Sequence, residues 1–256
     1  MTAQPSSFPC CGVRIDALDP DGAAEALLES RFGEPRVAHL CNAYTLSLAV
    51  RDEAFRAVLD AGDLNLSDGH YVAMVGRRRG LAEMSSRVYG PDLMAAVLDR
   101  GRNRELRHYL YGSTPETVQR LGAALAERYP GVSVVGAESP PFRPLSGDET
   151  EQMVQRIRAT RPDIVWVGLG TPRQDVFVHD FRDRLGTTLV PVGAAFDFFA
   201  GTKPMAPQWV QQRGLEWAYR LATEPRRLWK RYLVGNPVFV YGVVREEARA
   251  RRARTA

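Results

Sequence analysis

The stretch IVWVGLGTPRQDVFVHDFRDRL, residues 164–185, contains the repeating unit of the fold. Residues 164–168 form an apolar run of strand length, and residues 175–185 have the mixed apolar and charged pattern of an amphipathic helix. The turn between them contains a glycine and a proline, which are typical of connections. A strand that leads through a short turn into a helix is the βα unit of a parallel sheet.

The same alternation extends along most of the chain. Further strand-like runs occupy residues 12–15, 37–40, 64–66, 108–111, 132–135 and 188–193. Amphipathic helical segments occupy residues 21–31, 92–102, 114–129 and 148–160. This order predicts an α/β protein with a Rossmann-like, doubly wound, mostly parallel sheet. Ligands of such sheets bind at the carboxyl ends of the strands.

The last part of the chain differs in charge. Residues 203–256 contain 12 basic against 4 acidic residues, a net charge of +8, whereas the 22 basic and 26 acidic residues before them give −4. We therefore divide the chain into a Rossmann-like body, residues 1–205, and a basic amphipathic appendage, residues 206–256. A basic segment of this kind suits an anionic membrane surface, a nucleic acid or a phosphorylated ligand.

The appendage is predicted to be largely helical. One helix is expected over residues 207–223, and a second over residues 226–233, where Pro225 is suited to the first helical position. Trp229 beside the arginines favours a helix that lies on anionic lipid. Residues 245–256 are expected to fray.

Composition limits the class of protein. A chain of 256 residues with 45% hydrophobic and 25% charged residues is globular. Three cysteines do not form a disulfide framework, which favours a reducing, cytoplasmic setting. No apolar run reaches the roughly 20 residues of a membrane-spanning helix, and residues 1–9 lack the features of a secretion signal.

Three turns at predicted strand ends carry residues typical of phosphate sites, at 111–115, 168–174 and 193–197. A glycine such as Gly112 lets a ligand approach the backbone, and the amides of a helix N-terminus attract diphosphates. Each turn also fits an ordinary βα connection. None contains a dinucleotide-binding or P-loop motif, which argues against a nicotinamide-dependent enzyme and a nucleotide triphosphatase.

An aspartate follows the strand-like run at residues 64–66. Asp68 is placed either to cap the next helix or to act as a general base at a strand end. The four histidines and Cys41 have no metal-ligand spacing, and no G-x-S-x-G motif of a serine hydrolase occurs.

Several longer motifs occur in a fixed order between residues 12 and 239. They are GVRID at 12–16, NA at 42–43, DLNLSDG at 63–69, RVYGPDL at 87–93, GLGTPRQD at 168–175, GAAFDFFAGT at 193–202, GLEWAYR at 214–220 and EPRR at 224–227. Together they resemble the WecG/TagA/CpsF family, glycosyltransferase family 26. The resemblance covers nearly the whole chain.

The resemblance implies an inverting, metal-independent sugar transferase without a cofactor. Such an enzyme takes an N-acetylmannosamine-type or related sugar from UDP and adds it to an undecaprenyl-diphosphate-linked saccharide for teichoic acid or other surface polysaccharides. It would work as a peripheral protein on the cytoplasmic face of the cell membrane. The resemblance leaves a homo-oligomer open, and the acidic body argues against nucleic acid as a partner.

The resemblance also assigns roles to single residues. Asp68 matches the proposed catalytic base, which takes the proton of the attacking hydroxyl. Gln174 matches an active-site glutamine and Asn42 an active-site asparagine. The cations that neutralise the departing UDP are carried over to Arg220, Arg227 and Lys230.

Two further positions, Gly170 and Asp197, fall in the motifs expected to bind the donor. The chain departs from the family at Leu40, where a threonine is common, and this removes a polar contact to one substrate. Lys230 replaces an arginine and loses bidentate geometry, for which Arg231 is a candidate substitute. An inactive, UDP-sugar-binding or scaffolding member of the same family is the alternative.

Overall fold

The computed structural model describes residues 5–81, 84 and 86–255. The strands among them are β1 (Ser7–Cys10), β2 (Val13–Asp16), β3 (Arg36–Cys41), β4 (Leu64–Ser67), β5 (Arg107–Gly112), β6 (Ser133–Glu138), β7 (Ile164–Gly168) and β8 (Thr188–Pro191). The helices of the body are α1 (Pro20–Leu28), α2 (Ala43–Arg51), α3 (Glu53–Asp60), α4 (His70–Arg78), α5 (Gly90–Gly101), α6 (Pro115–Arg128), α7 (Gly147–Ala159), α8 (Arg173–Leu185) and α9 (Ala195–Phe199). Those that follow are α10 (Gln208–Gln212), α11 (Glu216–Thr223), α12 (Pro225–Leu233) and α13 (Gly235–Thr255), and a 3₁₀ turn occupies Arg102–Arg104.

Strands β3 to β8 form one parallel sheet in the order β4-β3-β8-β7-β5-β6. Ile164 and Trp166 of β7 pack into the apolar cluster formed with α1, α5 and α6, whereas Val165 and Val167 pack into the cluster formed with α7 and α8. Because neighbouring side chains of a strand point to opposite faces, helices cover both faces of the sheet. The predicted doubly wound α/β architecture is confirmed.

The strand order reverses around β3. From β3 the chain moves outward to the edge strand β4, whereas β5 begins on the far side of β8 and β7. Loops that leave neighbouring central strands in opposite directions open a crevice at the carboxyl ends of those strands. The topology therefore places a ligand site beside the ends of β3, β8 and β7.

The strand predicted at residues 12–15 is present but lies outside this sheet. It is β2, and it pairs antiparallel with β1, which the sequence analysis did not predict. Cys11 and Gly12 join the two strands, and both have positive φ angles, of 57° and 79°. This is the backbone of a tight hairpin turn, which glycine favours.

The predicted helices of the C-terminal segment are present, but its last residues are more ordered than the sequence predicted. Pro225 begins α12 as expected, and the helix predicted over residues 207–223 is divided into α10 and α11 at Gly214, whose φ is +69°. The expectation that residues 245–256 fray is wrong for the residues described, because α13 continues to Thr255.

Helix α13 is ordered because it docks on the body. Phe239 is buried in the apolar cluster that contains residues of β1, β2 and α2. Its carbonyl oxygen accepts a hydrogen bond from the Cys11 Sγ at 3.6 Å. Glu246 accepts a hydrogen bond from the Gly12 N–H at 2.8 Å and pairs with Arg79 at 2.7 Å. The end of the predicted appendage thus contributes to the core of the body. In the part of the chain described, no helix combines the length and apolarity needed to cross a bilayer.

The docking of α13 predicts whether an alanine in place of a glycine of this helix stabilises or destabilises the fold. Alanine in place of glycine inside a helix normally stabilises the fold by about 0.5–1 kcal/mol. A Cβ at Gly242 would lie 2.7 Å from the Cys11 sulfur and 2.8 Å from a methyl carbon of Val50. We expect Gly242→Ala to lower the free energy of unfolding by about 1–3 kcal/mol, measured by urea denaturation.

Gly122 is the matched control. It lies inside α6, where an added Cβ meets no atom within 4 Å. Gly122→Ala should raise the free energy of unfolding by up to about 1 kcal/mol. The same sign for both variants would contradict the close packing of α13 on the body.

Candidate active site

The carboxyl ends of β3, β4, β5, β7 and β8 surround a cleft of about 320 Å³. Its polar and charged lining includes Asn42, Asp68, Ser113, Thr114, Thr171, Gln174, Asp197, Lys203, Arg220, Arg227 and Arg231. Arg220, Arg227 and Arg231 come from α11 and α12, and the other residues come from the body. The cleft therefore lies where the body meets the C-terminal helices.

The carboxylate of Asp68 is held in a fixed orientation just beyond β4. Its Oδ1 accepts the Gly90 N–H at 3.0 Å, and its Oδ2 accepts an amide hydrogen of Asn42 at 3.1 Å. The cap position of α4 is taken by Gly69 without a side-chain hydrogen bond. Of the two interpretations left open by the sequence, the structure therefore excludes capping of α4 by the Asp68 side chain.

Burial raises the pKa of the Asp68 carboxyl group above its ordinary value. The Arg87 guanidinium and the two hydrogen bonds from Gly90 and Asn42 act in the opposite direction and limit this rise in pKa. A carboxylate with a raised pKa takes up a proton more readily than an ordinary aspartate. This property suits a general base at a strand end.

Asn42 acts as a bridge between a helix cap and this carboxylate. Its Oδ1 accepts the N–H groups of Tyr44 and Thr45, at 3.1 and 3.2 Å, at the start of α2. Because the oxygen is committed to the cap, the amide nitrogen must face Asp68. The helix cap thereby fixes which way the Asn42 amide points.

Gln174 connects two of the strand-end turns. Its Oε1 accepts the Gly170 N–H at 2.9 Å, and its Nε2 donates to the Pro191 carbonyl oxygen at 3.2 Å. The residue lines the cleft and is only 6% exposed. The amide therefore ties the turn after β7 to the end of β8, and a contact with substrate stays a prediction.

The two predicted glycines have different surroundings. Gly112 has a φ of +134°, and a Cβ there would lie 2.6 Å from the carbonyl carbon of Gly168. It permits the ends of β5 and β7 to approach, and the neighbouring Ser113 lines the cleft instead. Gly170 has a φ of +77° and lines the cleft, with no atom within 4 Å of an added Cβ.

The predicted cations are brought together in part. Arg220 and Arg227 line the cleft, whereas Lys230 lies exposed outside its lining, with its nitrogen 5.5 Å from the centre of the Trp229 ring. Arg231 lines the cleft in its place, and burial lowers the pKa of its guanidinium. The substitute considered for Lys230 is therefore the residue that reaches the site.

Asp197 belongs to a chain of ion pairs along the rim. It pairs with Lys203 at 2.7 Å, Lys203 approaches Glu224 at 3.5 Å, and Glu224 pairs with Arg227 at 2.6 Å. The sequence analysis gave Lys203 no role. The signal for it was its position directly after the motif that contains Asp197.

A second cavity of about 100 Å³ adjoins the cleft at Asp68. Both are lined by Asn42, Asp68, Tyr89, Arg220 and Arg231. The second cavity is also lined by His70, Tyr71, Arg87, Glu216 and Trp217. Asp68 thus lies at the boundary between the two spaces.

An ion pair forms part of the wall of the second cavity. Arg87 pairs with Glu216 of α11, and its guanidinium carbon lies 4.2 Å from the centre of the Tyr89 ring. Trp217 and Arg231 each carry a buried nitrogen that finds no hydrogen-bond acceptor in the described structure.

An aromatic side chain that the sequence analysis missed lies on the rim of the cleft. Phe142 follows two prolines in the loop after β6 and is 79% exposed. Exposed aromatic rings beside a cationic cleft are suited to stacking on a nucleotide base. Among the residues described, no three His, Cys, Asp or Glu side chains come together to hold a metal ion.

Comparison with known proteins gives consistent matches. The family model described as "Glycosyl transferase WecG/TagA/CpsF family" matches residues 8–253. A Bacillus spizizenii protein named N-acetylglucosaminyldiphosphoundecaprenol N-acetyl-beta-D-mannosaminyltransferase is 31% identical over 200 residues, which are 78% of this chain and 75% of that protein. A Bacillus subtilis protein of the same name is 30% identical over 200 residues, with the same two shares.

The raised pKa of Asp68 predicts a dependence of stability on pH. The folded protein binds a proton at Asp68 more tightly than the unfolded chain, so this group's contribution to stability falls as the pH rises through and above about 4. Asp68→Asn removes this titration. We expect the free energy of unfolding of the natural protein, relative to the variant, to decrease between about pH 4 and pH 7.

Urea denaturation of both proteins at a series of pH values measures this difference. The prediction concerns how this difference in the free energy of unfolding changes with pH. A constant offset between the two proteins arises from the changed hydrogen bond to Asn42. A difference that stays level or grows with pH would show that Asp68 is not a carboxyl group with a raised pKa.

Proposed function

The chain belongs to the glycosyl transferase WecG/TagA/CpsF family, and from this membership we propose that it transfers N-acetylmannosamine to a lipid-linked N-acetylglucosamine. The proposed donor is the UDP-linked sugar, and the proposed acceptor is N-acetylglucosaminyl-diphosphoundecaprenol, which the names of the two Bacillus relatives specify. The product would serve the synthesis of a cell-wall polymer. The position of Asp68 between two cavities is the observation that carries the proposal.

The cleft at the strand ends has the features of a nucleotide-sugar site. Arg220, Arg227 and Lys203 supply positive charge for a diphosphate, and Phe142 supplies a ring for the base. The turn at Gly170 leaves its backbone open to the ligand. We assign the UDP-sugar donor to this cleft.

The second cavity then receives the acceptor sugar. In an inverting transfer the acceptor hydroxyl attacks the anomeric carbon from the face opposite to the departing UDP, so the base must lie between the two reactants. Asp68 borders both cavities and meets this requirement. We name the second cavity the acceptor cavity.

The reaction is a single displacement. Asp68 takes the proton of the acceptor hydroxyl as its oxygen forms a bond to the anomeric carbon. The bond between that carbon and the β-phosphate oxygen breaks, and its electron pair stays on the departing UDP. Lys203, Arg227 and Arg231 line the donor cleft and stabilise the charge that develops there. These fixed cations support a reaction that does not depend on a metal ion.

The exposed side chains of the C-terminal helices support a peripheral position on a membrane. Trp229 and Leu233 of α12 are 46% and 60% exposed, and Val240, Tyr241 and Val244 of α13 are also exposed. Basic side chains accompany them on both helices. An amphipathic helix of this kind inserts its apolar side chains at an anionic lipid surface, here the inner face of the cell membrane.

Asp68→Asn tests the proposed reaction. We expect a loss of about 10²–10⁴-fold in the rate of sugar transfer, because the attacking hydroxyl loses its base. The affinity for UDP, measured by calorimetry, should change by less than about threefold, since Asp68 is not one of the residues proposed to bind the diphosphate. The activity assay contains a short-chain prenyl-diphosphate-linked N-acetylglucosamine, UDP-N-acetylmannosamine and EDTA, and detects the product by mass.

The same assay distinguishes the alternative, an inactive UDP-sugar-binding member of the family. UDP binding without a product from any UDP-sugar would favour that alternative. A product that forms only without EDTA would contradict metal independence and leave the transfer itself established.

A double substitution tests the membrane surface. Trp229→Ser with Leu233→Ser removes two exposed apolar groups and leaves the charge of α12 unchanged. We expect affinity for vesicles that contain anionic lipid to fall roughly 10- to 100-fold in a sedimentation assay. Val176→Ser, at an exposed apolar residue of α8 in the body, is the control and should bind as the natural protein does. Equal binding by all three proteins would place the membrane contact elsewhere.

A further inference from the structure

A third cavity, of about 390 Å³, continues from the acceptor cavity. It shares His70, Arg87 and Tyr89 with the acceptor cavity, and of these only Tyr89 also lines the donor cleft. The three spaces therefore follow one another, with the acceptor cavity in the middle. We name the third space the side cavity.

The side cavity is lined by polar groups from the body and from the C-terminal helices. Arg77 comes from the last turn of α4, and Gln211 and Gln212 come from α10. Asp92 is the acidic member of the lining, and Arg87 is already paired with Glu216. Of the two lining arginines, Arg77 is thus the one with its charge available to a ligand.

The charges of Arg77 and Arg87 converge on His70. Burial lowers the pKa of the His70 imidazole, and the two arginines lower it further because each opposes a second positive charge nearby. Glu216 opposes this effect, and the lowered pKa favours the neutral imidazole, whose ring can donate one hydrogen bond. The Arg77 guanidinium, the His70 imidazole and the amides of Gln211 and Gln212 form a set of donors suited to phosphate oxygens.

We infer that the side cavity binds the phosphate group attached to the acceptor sugar. This inference rests on the proposed function, which places the reacting hydroxyl of the acceptor at Asp68. The phosphate is attached to a different ring carbon from that hydroxyl, so it leaves the acceptor cavity on a side away from Asp68. The side cavity borders the acceptor cavity, with which it shares His70 and Arg87, and Arg77 supplies positive charge there.

The donor diphosphate does not compete for this place. Lys203 and Arg227 line the donor cleft and are absent from the lining of the side cavity. The two substrates each carry a diphosphate, and each diphosphate meets its own cations. Recognition of the second one selects a lipid-linked sugar over a free sugar.

Arg77→Gln with Arg78→Gln as its matched control tests this inference. Both arginines are exposed, lie in the last turn of α4 and support the negative end of that helix equally, but only Arg77 lines the side cavity. With a short-chain diphosphate-linked N-acetylglucosamine and no vesicles, we expect Arg77→Gln to raise the acceptor KM about 10- to 100-fold. The donor KM and kcat should stay within about twofold, Arg78→Gln should match the natural protein, and Arg77→Lys should recover part of the loss.

A neutral acceptor separates phosphate recognition from a general structural effect. With an alkyl glycoside of N-acetylglucosamine at saturating donor, the natural protein and Arg77→Gln should have the same KM. A KM that rises equally for both acceptors, or equally in Arg77→Gln and Arg78→Gln, would overturn the inference. The absence of vesicles excludes anionic lipid headgroups as the source of any difference.

Binding without turnover separates this inference from the proposed reaction. Calorimetry with the short-chain diphosphate-linked acceptor alone should show weaker binding to Arg77→Gln than to Arg78→Gln. If that difference is found while no protein forms product, the side cavity stands as a phosphate site and the proposed reaction fails. If both variants bind the acceptor equally, the side cavity is not the phosphate site, whether or not transfer occurs.

Discussion

The hydrogen bond between the Asn42 amide and the Asp68 carboxylate is the contact on which the site depends. It joins the ends of two parallel strands, because Asn42 follows β3 and Asp68 follows β4. The Asn42 oxygen is fixed by the cap of α2, and the second carboxylate oxygen is fixed by the Gly90 N–H at the start of α5. The orientation of one carboxylate is therefore set by the starts of two helices and the ends of two strands.

The C-terminal helices complete the spaces on either side of that carboxylate. The ion pairs that cross from the body to these helices include Arg87 to Glu216, Lys203 to Glu224 and Arg79 to Glu246. Two of them lie beside the cavities, and the third holds α13 on the hairpin of β1 and β2. In each of these pairs the cation belongs to the body and the carboxylate to the appendage, which is the reverse of the net charges of the two parts.

The sequence predicted the parts of the structure that depend on local pattern. The strands of the sheet, the start of α12 at Pro225 and the position of Asp68 after a strand all follow from periodicity and turn chemistry. The order of α13 depends on contacts with Cys11, Gly12 and Arg79, which are more than 160 residues away in the chain. A basic segment at a chain end is typical of fraying, and no local signal announces that a distant hairpin will cover it.

The choice between Lys230 and Arg231 shows the same limit at the level of one side chain. Residues 230 and 231 lie three and four positions after Arg227, and both spacings place a side chain near the same face of a helix. Packing against α2 decides between them, since the Arg231 guanidinium carbon lies 4.6 Å from the centre of the Tyr44 ring. Periodicity gives the face of the helix, and tertiary packing selects the residue.

Burial shifts the pKa values of Asp68 and Arg231, two of the charged groups of the site, in opposite directions. It raises the pKa of the Asp68 carboxyl group and lowers the pKa of the Arg231 guanidinium, because in each case it disfavours the charged form. For the base, this cost in stability makes proton uptake more favourable. For the arginine, which stays charged, a weakly hydrated cation interacts more strongly with an anionic leaving group. Burial of these two charges thus lowers the stability of the free protein. In return, each group interacts more strongly with the substrate it faces.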